Sequence, residues 1–210
     1  ILKQFFNNTR KPNGWMGKLM VNGMNQGHAA VSDWGLSYFP DVPGAAHSML
    51  ADFGCGGGRN TAELLKRFPE ARVTALDYSK VACDKTKQFN RNEVQAGRCN
   101  VVQGDVSRLP FEAATFDVIT AFETVYFWPG PVESFQEVWR VLKPGGTFMI
   151  VNESDGRNTK DEKWAGIIDG MRIFTQERLT QYLKDAGFSQ IAAHVNRKQH
   201  WICLLAEKAR

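Results

Sequence analysis

Along residues 47–206, short apolar runs rich in β-branched and aromatic side chains alternate with longer stretches whose apolar positions recur every three or four residues. The short runs, 47–53, 72–76, 100–103, 116–121, 147–151, 191–195 and 201–206, read as seven strands. Helical periodicity marks 61–68, 80–94 and 131–142 between the first five runs, and 176–186 after them. Such alternation predicts an α/β fold, a doubly wound and mostly parallel sheet with helices on both faces. The last two runs are joined only by residues 196–200, too few for a crossover helix, so they pair antiparallel at the sheet edge.

Turn chemistry supports these boundaries. Pro69 excludes the α conformation from Phe68 and stops the first helix, while Pro131 suits a first helical turn. Lys143-Pro144-Gly145-Gly146 is expected to separate the third helix from the next strand. Thr175 is placed to cap the helix that follows, and Gly187 supplies the left-handed residue that closes it. The polar stretch 154–161 reads as a loop.

Residues 1–46 stand apart from this alternation. Met16, Met20 and Met24 fall on one helical face beside Trp15 and Leu19, and a second segment, 28–38, carries Val31, Trp34 and Leu36. Two short helices on the end of the sheet account for the pattern. A lid over a ligand is the functional alternative, since flexible Met and flat Trp side chains adapt to what they cover. The domain reading is therefore a helical cap or lid over 1–46 and one catalytic-size unit over 47–210.

Composition narrows the class. The 210 residues with 43% apolar content suit one globular domain. No apolar run approaches the ~20 residues that cross a bilayer, and 1–18 lacks the apolar core of a signal peptide. Four cysteines without CxxC spacing argue against a zinc site or a disulfide framework, so no metal is expected and a reducing, cytoplasmic setting is. The net charge of +4 is spread thinly, which disfavours a nucleic-acid partner.

The sharpest local signal is Leu50-Ala51-Asp52-Phe53-Gly54-Cys55-Gly56-Gly57-Gly58, a strand entering a glycine turn and then a helix. In open α/β sheets, ligands sit in the crevice beyond such a strand end. A dinucleotide fingerprint needs a third glycine, but that position is Arg59 counted from Gly54, or Thr61 counted from Gly56. No phosphate-loop lysine motif is present either. Asp52 before the turn, Asp77 at the end of the second run and Asp105 after the third place three carboxylates at three consecutive strand ends. They repel a pyrophosphate and suit a phosphate-free cation carrying an α-ammonium, a ribose and an adenine. Each of them also has an ordinary reading, as a turn or helix-cap residue.

With these pieces the sequence resembles the class I S-adenosylmethionine-dependent methyltransferases, closest to the small-molecule branch of ubiquinone/menaquinone type. The resemblance continues through Gly104-Asp105-Val106, Phe116-Asp117-Val118-Ile119, Val141-Leu142-Lys143-Pro144-Gly145-Gly146 and Ala186-Gly187-Phe188, and covers about 50–206. It implies a Rossmann-like sheet with its last strand antiparallel, and S-adenosylmethionine as cofactor. It further implies that Gly54, Cys55, Gly56 and Gly58 lie under the methionine moiety and Asp77 on the ribose, while Asp52 is expected toward the ammonium by its charge alone. Tyr78 with Ser79 would meet the adenine face, Asp105 and Val106 the adenine edge, and Phe122 the amine through its backbone.

Residues 123–128 then fall where the family meets its substrate. Ala121-Phe122-Glu123-Thr124 replaces the Asn/Asp-Pro-Pro-aromatic sequence of base-methylating enzymes, so base N-methylation is disfavoured, and the small-molecule branch of the resemblance is the reading preferred. A macromolecular acceptor and a non-catalytic binding module are the alternatives. Glu123 is the first candidate for a general base, ahead of Glu153 and His28. Phe122, Tyr126, Phe127 and Trp128, with Trp15, Trp34 and His28, are candidates for a substrate pocket. His194 and His200 flank the edge hairpin and read as structural.

Overall fold

The computed structural model describes residues 28–42, 47–158 and 168–210. The segment with Trp15, Met16, Met20 and Met24 lies outside the described residues, as does part of the expected loop at 154–161. Helix α1 (Ala29–Leu36) precedes β1 (Met49–Phe53), α2 (Arg59–Arg67), β2 (Arg72–Asp77), α3 (Lys80–Phe89), α4 (Arg91–Gln95) and β3 (Cys99–Gln103). There follow β4 (Phe116–Phe122), a 3-10 turn at Val125–Phe127, α5 (Pro131–Val141), β5 (Leu142–Asn152), α6 (Gln176–Asp185), β6 (Gln190–Asn196) and β7 (Trp201–Glu207). All seven strands form one sheet in the order β3-β2-β1-β4-β5-β7-β6. Pairing is parallel from β3 to β5, and β7 runs antiparallel between β5 and β6.

Strand alternation divides the core into two layers. Ala51, Phe53, Ile119, Phe148, Ile150 and Leu204 face α5 and α6, which contribute Phe135, Val138 and Leu183. Leu50, Val118, Met149, Val151 and Cys203 face the opposite layer, where α1 and α2 contribute Val31, Leu36, Leu64 and Leu65. Gly35 lets α1 approach β5: a Cβ there would stand 2.5 Å from a Val151 methyl. Trp34 packs on Tyr38 and Trp201, and Tyr38 stacks on His194 at 3.9 Å.

Two expectations change. The helix expected over 80–94 is broken at Asn90, whose side-chain amide donates to Gly58 O and Thr86 O. That polar bracket holds the glycine turn against α3. Helix α5 does stop at Val141, but β5 begins at once, with Pro144, Gly145 and Gly146 inside it. The register slips between Phe116–Leu142 and Val118–Thr147 pairings, so a bulge absorbs the Pro-Gly-Gly stretch instead of a separate loop. Gly145 N–H donates to Lys208 O, and Lys208 N–H to Gly146 O, which closes that irregularity against the chain beyond β7. The helix starting at Gln176 is capped as expected, Thr175 Oγ1 accepting from Arg178 N–H.

Candidate active site

The carboxyl ends of β1 to β4 open onto a crevice of about 460 Å³, within the range that small-molecule sites occupy. Sheet order sets the sequence of tips along it: Asp105 beyond β3, Asp77 on β2, the glycine turn on β1, then Phe122 and Glu123 on β4. The turn is anchored to its neighbour, because Gly54 N–H and Cys55 N–H both donate to Leu76 O. Gly56 lines the crevice at φ +52°, and a Cβ there would meet nothing within 4 Å. Gly58 does not line it. At φ +83° it starts α2, and a Cβ would stand 2.8 Å from Thr86 Cα. One glycine therefore leaves room for a ligand and the other permits close helix packing.

Asp77 lines the crevice and also builds it. Its Oδ2 accepts from Gly56 N–H at 3.1 Å and its Oδ1 from Ser79 N–H at 2.9 Å, so one carboxylate ties the turn to the start of α3. Burial pushes its carboxyl above the usual range while these backbone donors oppose the rise. Asp105 also lines the crevice, with Oδ1 accepting from both Ser107 N–H and Ser107 Oγ at 2.8 Å. Tyr78, 38% exposed, forms part of the same wall with Val106 and Phe122.

Asp52 is not on that wall, which corrects the expectation that three acids converge. Alternation along β1 turns it to the face of Leu50, toward α2, where Thr61 Oγ1 donates to it at 2.7 Å and Thr120 Oγ1 at 3.3 Å. Burial pushes its carboxyl up to about 6, against the lowering effect of the two hydroxyls. Cys55 and Ser79 are also absent from the lining: Cys55 Sγ accepts from Thr86 Oγ1, and Ser79 caps α3 by accepting from Ala82 N–H.

Beyond β4, Thr124, Phe127 and Trp128 of the segment 123–128 line the crevice, joined by Pro129, Gly170 and Arg172, which sequence reasoning missed. Arg172 is held by donating to Trp128 O from its guanidinium and to Tyr126 O from its backbone. It lies 46 residues after the β4 turn's Tyr126 in the chain, so no local spacing marks it. Tyr126 is buried beneath, its hydroxyl accepting from Ser154 N–H. Trp34 packs with Trp201 and is not among the lining residues. Trp15 lies outside the described residues.

Glu123 stands at φ +56°, a conformation that non-glycine residues rarely adopt. It lines the crevice, and its Oε1 accepts from Glu153 N–H. His28, one residue before α1, brings Nδ1 to 3.3 Å from Glu153 Oε2 and 3.7 Å from Glu123 Oε2. Three elements far apart in sequence thus gather a histidine and two glutamates. The Glu123 side chain is only 8% exposed against 50% for Glu153. Burial first, and then the neighbouring Glu153 carboxylate, push Glu123 up to about 8, whereas His28 lowers it. His28 is itself raised: burial opposes its charged form, and the two glutamates outweigh burial.

Residues 51–150 match the family described as a methyltransferase domain. The chain is 34% identical over 153 residues to cycloartenol-C-24-methyltransferase 1 of Oryza sativa subsp. japonica, a match covering 68% of this chain and 44% of that protein. It is 29% identical over 160 residues to malonyl-[acyl-carrier protein] O-methyltransferase of Herminiimonas arsenicoxydans, covering 74% of this chain and 58% of that one. The chain thus spans about half the length of these relatives. In fold it is similar, at a TM-score of 0.80 and 18% identity, to a chain of the complex between the Haloferax volcanii Trm112 methyltransferase activator and a methyltransferase. That match covers 91% of this chain and 94% of the other. Among the described residues no helix is long and apolar enough to cross a membrane.

Proposed function

Because the chain belongs to the class I S-adenosylmethionine-dependent methyltransferases, we propose that it transfers the methyl group of S-adenosylmethionine to a small-molecule acceptor bound in the crevice beyond β1 to β4. When bound, that cofactor supplies an electrophilic methyl on a sulfonium, displaced in line by the acceptor. The observation that carries the reading is the meeting of Gly56, Asp77, Tyr78 and Asp105 on one wall, where open space over Gly56 adjoins two carboxylates and an aromatic ring.

In this reading Asp77 accepts from ribose hydroxyls, Tyr78 lies on the adenine face, and Asp105 with Val106 holds its edge. An extended ligand fixed at the β3 and β2 tips reaches the β1 turn and β4 with its methionine portion, since neighbouring strands are ~4.8 Å apart. The acceptor then lies against Phe127, Trp128 and Pro129, which exclude water and align it with the methyl. Such alignment contributes ~7–11 kcal/mol toward the barrier. For an acceptor that loses a proton, Glu123 is the group on this wall that takes it. The relatives support a small-molecule methyl acceptor, since one is named for cycloartenol and the other for the malonyl group borne on an acyl-carrier protein.

Calorimetric titration with S-adenosylmethionine and S-adenosylhomocysteine tests the reading. Micromolar binding of both, lost in Asp77→Ala, is expected. Absence of binding by either removes it. A panel of phenolic, carboxylate and sterol acceptors, read by homocysteine-nucleoside product, then separates a transferase from a binding module.

A further inference from the structure

Glu123, His28 and Glu153 converge from the tip of β4, the start of α1 and the tip of β5, with their donor atoms within 4.8 Å of one another. Glu123 faces the crevice and is sealed below, whereas Glu153 is half exposed and opens the group to solvent. Besides these two partners, the Tyr126 hydroxyl bonds to Glu123 from the 3-10 turn and lowers its carboxyl. Glu123 lines the crevice wall from a backbone in the left-handed region, at φ +56°.

We propose that the His28–Glu123–Glu153 group gives up a proton as the crevice takes in its sulfonium cofactor, so that Glu123 becomes a base only when a methyl donor is in place. This deepens the methyltransferase reading and rests on it. Without a cofactor at the β1–β4 junction, Glu123 shares a small volume with the Glu153 carboxylate and is poorly solvated, and these two effects favour its neutral form against the opposing effect of His28. A positive charge at the adjoining β1–β4 junction offsets that repulsion and favours the carboxylate. The proton leaves past exposed Glu153 to water. Transfer then balances: the acceptor's electron pair forms the new bond to the methyl carbon, the carbon–sulfur pair returns to sulfur, and the acceptor's proton passes to Glu123. The thioether product carries no sulfonium charge, so the protonated state is favoured again once transfer is complete.

Calorimetry in buffers of different ionisation enthalpy counts protons exchanged on binding, without any acceptor. At pH 7 the wild-type protein is expected to release ~0.5–0.9 proton with S-adenosylmethionine and clearly less with S-adenosylhomocysteine. Its preference for the sulfonium over the thioether should rise by up to ~10-fold per pH unit below pH 8. Glu123→Gln should abolish both the differential release and this pH dependence, and His28→Gln should retain them. Equal proton exchange for both ligands overturns the proposal while leaving the cofactor reading intact. Release that persists in Glu123→Gln, or that is lost in His28→Gln alone, overturns the assignment to Glu123. Failure of the wild-type protein to bind either ligand overturns the cofactor reading itself. Should Glu123→Gln not fold, the pH dependence of the two wild-type affinities decides.

Discussion

Replacing Asp52 by Asn separates its structural role from its expected ligand role. The carboxyl is buried with 1% exposure, and burial raises it from an ordinary 3.8 to about 6. A carboxyl raised in the folded state holds its proton more tightly there than in the unfolded chain. Its stabilising contribution is therefore whole below pH ~4, falls as pH rises toward 6, and is gone above. At 1.36 kcal/mol per tenfold change in proton affinity, ionising Asp52 in place costs about 3 kcal/mol. Asn fills the same volume and keeps the bonding: its oxygen accepts from Thr61 Oγ1, and its amide donates to Thr120 Oγ1, whose own hydrogen goes to Ala51 O. Denaturant unfolding followed by tryptophan fluorescence should find Asp52→Asn ~2–3 kcal/mol more stable than wild type at pH 7.5 and equal to it at pH 4. A variant no more stable than wild type at pH 7.5 would refute the desolvation argument. In the same variant, unchanged affinity for S-adenosylmethionine is expected, because Asp52 does not reach the crevice wall.

The glycine turn yields a paired contrast. Gly58→Ala, which drives a methyl against Thr86 Cα at positive φ, should lose ~2–4 kcal/mol in thermal or chemical unfolding. Gly56→Ala should lose only ~1–2 kcal/mol for its left-handed backbone yet bind S-adenosylmethionine at least ~10-fold more weakly, since its methyl enters the crevice. Similar behaviour of the two would contradict the division drawn between them. Tyr78→Ala should weaken cofactor binding ~10-fold by calorimetry through lost stacking. With 38% of Tyr78 exposed, its melting temperature should stay within a degree or two of wild type. Thr175→Ala should cost ~1 kcal/mol through loss of the α6 cap and leave cofactor affinity unchanged.

Most of the fold was legible because its signals are local. Apolar runs, Pro69, Pro131, Thr175 and the short link between the last two strands each constrain a few neighbouring residues, and the sheet follows from their order. The break at Asn90 was not legible, since it depends on a hydrogen bond to Gly58, 32 residues away. The early start of β5 was hidden by the usual meaning of Pro-Gly-Gly as a terminator, which a bulge overrides. In the site, Asp77, Asp105, Glu123 and the glycine turn were found because strand tips converge by topology. Asp52 was misplaced by a simpler oversight: strand alternation assigns it to the face of Leu50, and that parity was readable from the sequence. Arg172 and the approach of His28 to Glu153 were not readable, being contacts between segments with no shared spacing.

The displacement of Asp52 alters the electrostatic argument without reversing it. Among the described residues, the carboxyls that line the crevice are Asp77, Asp105 and Glu123, with one guanidinium, Arg172. Asp77 already accepts two backbone N–H groups, and Asp105 two donors from Ser107, so neither is a bare charge waiting for a counterion. Those bonds orient acceptor oxygens at the wall, which selects ligands rich in hydroxyl and amino donors more than it selects positive charge. Burial raises both Asp77 and Glu123, and in the reading proposed above it is Glu123, also pushed up by the Glu153 carboxylate, whose charge answers to a cation. In that reading, discrimination against a phosphate rests on the acceptor oxygens of Asp77 and Asp105 at the β2 and β3 tips, and response to a sulfonium rests on Glu123 beside β4.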